Sequence, residues 1–113
     1  MSKTYDVVLR FTGMGEGEKP LTENLMKGFL NTLANKQNAP KHILLYGEAV
    51  KLACKGSDSI EDLKVMEDRG TKVLSCGICT EYYEVEKHIM VGQVTTMREV
   101  VDILTESELI IEP

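Results

Sequence analysis

Cys76-Gly77-Ile78-Cys79 carries the side chains of this sequence best suited to covalent chemistry. The two thiols follow directly on the apolar Val73-Leu74 and precede residues that can turn helical. Thiols at the C-terminal end of a buried strand occupy the edge where an α/β sheet gathers its reactive groups. A helix starting at the pair would aim backbone N–H groups at the sulfur and favour its thiolate. That help matters, because a free thiol with a pKa of about 8.5 is only about 3% ionised at pH 7. One cysteine can then take up a sulfane sulfur as a nucleophile and hand it on as a persulfide. The other would resolve that persulfide as a disulfide or tune its neighbour electrostatically.

Three other readings stand beside this one. A thioredoxin-type dithiol has the same spacing, although its motif normally follows an early strand. A zinc site needs four ligands, of which C-x-x-C supplies two, leaving Cys54 with His88 or His42 to complete it. The last is a pair of buried structural cysteines.

The elements that must position the thiols are legible in the hydrophobic pattern. Tyr5 to Phe11 reads as a first strand, bounded by the glycine-rich Thr12-Gly13-Met14-Gly15-Glu16-Gly17. Leu21, Leu25, Met26, Phe29, Leu30 and Leu33 form one helical stripe, with Pro20 suited to the first turn and Asn38-Ala39-Pro40 as its end. Ile43 to Tyr46 is a second strand stopped by Gly47, and Glu48 to Gly56 is a loop or a short helix. Asp58 and Glu61 suggest a capping box for a helix carrying Ile60, Leu63 and Met66, with Gly70 as its stop. Lys72 to Ser75 delivers the chain to Cys76. A fourth strand is expected from Ile89 through Val94, then a helix capped by Thr96 and Glu99 and carrying Met97, Val100, Val101 and Leu104. Leu109-Ile110-Ile111 closes as a fifth strand.

This alternation predicts a single α/β domain over residues 1–113, a flavodoxin-like three-layer sandwich around a mostly parallel five-stranded sheet. In such a sheet the loops after the strand C-termini share one edge. That edge would hold the Gly13–Gly17 loop, the Gly47–Gly56 segment, Cys76 to Cys79 and Thr95-Thr96, with Cys54 able to approach the thiol pair.

Composition sets the outer limits. At 113 residues, 42% hydrophobic and 27% charged, the chain is ordinary globular material of one-domain size. A formal charge of −5 argues against nucleic acid as a partner, since that binding rests on neutralising phosphates. No apolar run approaches a membrane span, and MSKTYDVVLRF lacks the architecture of a signal peptide. Three cysteines, an odd number, fit a reducing cytosol better than a disulfide scaffold. A cytoplasmic protein is expected.

The remaining candidates are weaker. Gly13, Gly15 and Gly17 do not match a G-x-G-x-x-G phosphate cradle, and Glu16 and Glu18 would repel a phosphate. A turn that lets another molecule approach the sulfur is the better reading. His42 and His88 are read as surface histidines at the edge away from the thiols. Cys54 lies between packing and participation, with Lys51 and Lys55 close by in sequence. Tyr83, beside Tyr82, can bound the pocket or donate a hydrogen bond.

Thr12-Gly13-Met14-Gly15, Leu25-Met26-Lys27-Gly28-Phe29, Val50-Lys51-Leu52, Gly56-Ser57, Gly70, Ser75-Cys76-Gly77-Ile78-Cys79, Tyr83, Val91-Gly92 and Thr96-Met97 together resemble the DsrE superfamily. Within it the chain is most similar to the DsrE-like C-terminal domain of YedF-type proteins, described as sulfurtransferase-like selenium metabolism proteins. The resemblance runs over nearly the whole chain. It implies a compact parallel α/β fold and homo- or hetero-oligomers. It also implies sulfur or selenium relay, with a persulfide on the cysteine after a central strand passed to a small carrier protein such as a TusA-like one. No cofactor or metal is implied. That cysteine maps to Cys76 or Cys79, with Cys76 favoured because it comes straight off the strand. Gly13, Met14, Gly15, Gly77 and Tyr83 are candidate binding residues around it. Cys54, outside the resemblance, joins them from its expected place on the same edge. YedF-type proteins usually begin with a TusA-like domain; this chain begins at its first strand, so the carrier is expected to be a separate protein. Thr95-Thr96 stands where the family pattern has Thr-Asn, so a polar contact there is expected to differ.

Overall fold

The structure is a computed structural model that describes residues 4–113; Met1 to Lys3, part of the start read as lacking a signal peptide, lie outside the described residues. Five strands form one sheet: β1 Asp6–Leu9, β2 His42–Leu45, β3 Lys72–Cys76, β4 Gln93–Thr95 and β5 Ile110–Ile111. Their order is β4-β3-β2-β1-β5, and every pairing is parallel. The helices are α1 Lys19–Ala34, α2 Ile60–Asp68, α3 Gly77–Tyr82 and α4 Met97–Glu106, with 3-10 helices at Gly47–Ala53 and Glu86–His88. The expected α/β sandwich is therefore present, with a wholly parallel sheet.

The layering follows from the strand order. From β1 to β4 the chain moves one strand at a time in one direction. Because parallel crossovers are right-handed, all the connections on that walk fall on one face. There α1, the Gly47–Ala53 helix, α2 and α3 enclose the larger core of Val7, Leu9, Ile43, Leu45 and Val73 with Met26, Leu30, Val50, Leu63 and Met66. The return to β5 runs the other way, so α4 lies on the opposite face. It covers a smaller core in which Val100 packs on Val8, Leu44 and Leu74. Side chains alternate across a strand, so the β1–β3 residues divide cleanly between the two cores. Burying one such aliphatic side chain contributes about 1.5–3 kcal/mol.

Local chemistry explains the element ends. Pro20 sits in the first turn of α1, where a missing N–H costs nothing. Gly70, at φ +102°, follows α2 in the left-handed conformation that ends helices. The Thr96 hydroxyl accepts the Glu99 N–H at 3.3 Å and caps α4 as the sequence suggests.

Four expectations change. The Asp58–Glu61 capping box is absent: Ser59 is the N-cap, its own N–H bonds the Ser57 hydroxyl at 3.1 Å, and Asp58 instead faces Lys27 at 3.6 Å. Leu21 and Leu25 of the α1 stripe are exposed, because the buried side of α1 is carried by Thr22, Met26, Leu30, Leu33 and Ala34. The fourth strand begins at Gln93, later than expected. Ile89 and Met90 are used instead to tie the chain to the residues before α2: Ile89 bridges Cys54, and the Met90 N–H donates to the Ala53 carbonyl at 2.8 Å. His42 is largely buried rather than on the surface, its Nδ1 2.7 Å from Asp6 across the β1–β2 register.

Candidate functional site

The chain reaches the site along β3. Cys76 is both the last residue of that strand and the N-cap of α3, and it is only 2% exposed. Gly77 then starts the helix hard against β4: a Cβ there would lie 3.0 Å from the Thr95 carbonyl oxygen and 3.3 Å from Val94 Cγ1. Such a close approach favours glycine and lets the helix begin where the strand ends. Two residues later Cys79 turns toward the larger core and stays half-buried.

The Cys79 sulfur accepts the Gly47 N–H at 3.0 Å. Gly47 follows β2 with φ +62°, and its missing Cβ would stand 3.1 Å from the Arg10 carbonyl oxygen. Two strand ends thus meet at one thiol, β2 through Gly47 and β3 through Cys76, while the residue after β1, Arg10, packs against Gly47. Of the expected gathering at one edge, these contacts bring together the start of the Gly47–Gly56 segment and the thiol pair, while Cys54 bonds Val50 instead.

The electrostatics differ from the expectation. Cys76 caps none of the N–H groups of α3 with its side chain. The N–H that reaches a sulfur comes from Gly47 in the neighbouring 3-10 helix, and it reaches Cys79. Burial pushes the Cys79 thiol above its ordinary value, the Gly47 N–H pulls it back, and the adjoining Cys76 raises it further. Desolvation outweighs the single hydrogen bond, so the resting thiol is held protonated at neutral pH. Cys54 is also pushed up by burial, with the nearby Lys51 charge opposing.

The other candidates take these places. Tyr83, at the end of α3, lies under the Lys51 ammonium at 4.4 Å from the ring centroid and meets Tyr82 edge to face at 5.1 Å. The glycine loop after β1 is pinned to α1: the Met14 N–H donates to the Thr22 carbonyl at 2.9 Å, and a Cβ on Gly13 would strike the Thr22 hydroxyl at 2.5 Å. Met14 packs down on the core, while Gly15 stays open at φ +74°. The loop shares a hollow of about 390 Å³ with Glu48, the neighbour of Gly47. Cys54 is buried and donates its S–H to the Val50 carbonyl at 3.3 Å. His88 is exposed, and among the described residues no three His, Cys, Asp or Glu side chains are grouped to hold a metal ion. The Thr95 hydroxyl bonds Glu99.

Sequence reasoning placed Gly47 on the thiol edge, at the start of the Gly47–Gly56 segment, but did not assign it a role at the sulfur. The signal available was a glycine directly after a strand on the same edge as the thiols. Gly47→Ala is expected to cost about 1–2 kcal/mol for the left-handed backbone alone. It should also move the N–H off the sulfur. Since that N–H favours the thiolate, its loss raises the Cys79 pKa, and alkylation of Cys79 against pH should shift to higher pH. An unshifted curve would mean that the N–H does not act on this sulfur.

No protein-family model matches the chain, and no curated protein resembles it in sequence. Solved structures share its fold. The YchN protein of Escherichia coli superposes with a TM-score of 0.73 at 13% identity, covering 97% of this chain and 99% of that one. A conserved protein of unknown function from Bacteroides thetaiotaomicron, BT1422, reaches 0.66 at 19% identity over 96% and 94% of the two chains. MTH1491 of Methanobacterium thermoautotrophicum, also of unknown function, reaches 0.63 at 17% identity over 96% and 99%. At these identities the likeness establishes the α/β fold and no more.

Proposed function

We propose that this protein is a sulfur relay of the DsrE type that carries a persulfide on Cys79, with Cys76 as its partner. The observation that carries the reading is the half-buried Cys79 sulfur, held by the Gly47 N–H beside a second thiol at the C-terminal edge of a parallel sheet. This reverses the order favoured from sequence: Cys76 comes first off the strand but is enclosed, whereas Cys79 has access to solvent.

In the transfer step the Cys79 thiolate attacks the outer sulfur of a donor persulfide. A bond forms between Cys79 Sγ and that sulfur, the donor S–S bond breaks, and the donor sulfur leaves as a thiolate. That thiolate takes up the proton released from Cys79, so the exchange involves no net oxidation. Delivery to an acceptor thiol runs the same step in reverse. A thiol kept protonated at rest is poorly nucleophilic, so loading requires a docked donor to draw the proton.

Exposed apolar side chains around the thiol support transfer to a protein partner such as a TusA-like carrier. Ile78 and Tyr82 lie one turn apart on α3 and are 63% and 80% exposed, with Val94 of β4 exposed beside Gly77. An apolar groove of about 850 Å³ between α1 and β5, lined by Leu25, Phe29, Leu33, Leu109 and Ile111, supports self-association. No helix among the described residues is long and apolar enough to cross a membrane. A cytoplasmic relay acting as a homo-oligomer is the reading consistent with these features, with selenium as a second possible cargo.

The test is intact-mass spectrometry after incubation with a cysteine desulfurase and cysteine. The expected result is a gain of one sulfur atom per chain, lost on treatment with reductant. A chain that takes up no sulfur would favour the alternative of an oligomeric binding module with structural or zinc-binding cysteines.

A further inference from the structure

Ser75 precedes the thiols, and its hydroxyl is not explained by packing. The residue is 0% exposed, and among the described residues its Oγ is the one buried side-chain oxygen or nitrogen without a hydrogen-bond partner. Buried hydroxyls are normally paired, because leaving one unpaired forfeits its hydration with no return. Alanine would fill nearly the same space at no such cost, so the hydroxyl calls for a role outside the resting fold.

Its surroundings indicate that role. Side chains alternate along β3, so Ser75 faces the same core as Val73. It pairs in register with Leu45, and Gly47 lies just beyond Leu45 on β2. The helices in contact with β3 are the 3-10 helix that begins with Gly47, α2, and the helix α3 that carries Cys79. The unpaired hydroxyl therefore lies on the face of the sheet over which the Gly47 N–H meets the Cys79 sulfur. A serine hydroxyl can be redirected by rotation about a single bond.

We infer that Ser75 is a positioning residue for the sulfur at Cys79, its hydroxyl held in reserve as a second donor that engages when the sulfur becomes anionic. This rests on the reading of Cys79 as the carrier. In the resting protein the thiol is neutral and the Gly47 N–H suffices. Once Cys79 loses its proton, the anion has capacity for a second donor, and the Ser75 O–H is the buried donor with none of its own commitments. The bond exists only in the reactive state, so it favours that state over the resting one.

The test is the rate of Cys79 alkylation as a function of pH, followed by peptide mass spectrometry in wild type and Ser75→Ala. The ionisable groups around α3 are Cys76 on β3, Glu48 and Lys51 on the 3-10 helix, and Glu81, Tyr82 and Tyr83 on and just after α3 itself; all are retained in the variant. Ser75→Ala is expected to displace the curve upward by about one pH unit, making alkylation roughly tenfold slower at pH 7 with the same plateau at high pH. Its urea midpoint is expected to rise, because an unpaired buried hydroxyl has gone. A purely structural serine would leave the pH curve in place, and superimposable curves overturn the inference. Sulfur uptake by wild type together with superimposable curves removes the role of Ser75 alone. A displaced curve in a protein that takes up no sulfur retains Ser75 as a donor to the thiolate and removes the relay reading.

Discussion

Cys79→Ser is expected to abolish sulfur loading, while Cys76→Ser retains it. The asymmetry follows from where the two sulfurs lie. A donor persulfide must bring its outer sulfur into line with the attacking thiolate, and that requires an open approach. Cys79 is partly open and already holds a backbone donor that can stabilise negative charge on sulfur. Cys76 is sealed between the end of β3 and the start of α3. Serine is nearly isosteric with cysteine, so neither change should disturb the fold, and far-ultraviolet circular dichroism provides the control. Intact-mass spectrometry after desulfurase treatment should show loss of the added sulfur in Cys79→Ser, at least a hundredfold below wild type, a difference equivalent to about 2.7 kcal/mol. Cys76→Ser also removes a neighbour that disfavours the Cys79 anion, so its loading should respond to pH from a lower midpoint. Full loading of Cys79→Ser together with none in Cys76→Ser would transfer the carrier role to Cys76.

Gly92→Ala should be the most damaging small substitution in the fold. Gly92 has φ +73°, and a Cβ on it would lie 2.1 Å from the Val73 carbonyl oxygen and 2.8 Å from the Val73 Cβ. The first of these distances is well inside van der Waals contact with a backbone atom of the interior strand β3. No rotamer relieves it, because both partners are fixed by the parallel β3–β4 pairing that begins at Leu74 and Gln93. The left-handed conformation costs about 1–2 kcal/mol, and forcing an atom into a packed interior adds about 1–3 kcal/mol or more. The Gly92 N–H, which donates to Glu67 at 2.9 Å, would be displaced as well. A total of about 2–5 kcal/mol is a large share of the 5–15 kcal/mol that stabilises a domain. Urea unfolding should show it directly; a loss below about 1 kcal/mol would mean that β4 can slide without penalty. The site should suffer with the fold, since β4 supplies the Thr95 carbonyl against which Gly77 starts α3.

Both results depend on glycines whose purpose is not visible along the chain. Read from sequence, Gly47 stops the second strand and opens a segment on the thiol edge, Gly77 is a candidate binding residue between the cysteines, and Gly92 lies within the expected fourth strand. In the folded protein each marks an approach of backbone that a Cβ would obstruct, and each lies beside a strand paired far away in sequence. Short-range patterning contains no record of that distance. His42 shows the same limit, because its partner Asp6 becomes its neighbour only when β1 and β2 align.

What the sequence determined by itself is the set of elements and the edge at which chemistry gathers. Continuous apolar runs such as Val7-Val8-Leu9 and Ile43-Leu44-Leu45 demand cover on both faces, and the helical stripe around Met26 and Leu30 supplies it on one. A parallel sheet then brings the residues after each strand to a common rim, so the cysteine pair could be placed without coordinates. Only the tertiary structure decided which thiol is open, which N–H reaches it and what its proton costs to remove. Solvent access and desolvation are set by every element that packs around a sulfur. Here those elements are the end of β3, α3 and the 3-10 helix after β2, and together they leave Cys79 partly open, bonded to Gly47 and pushed toward its protonated form.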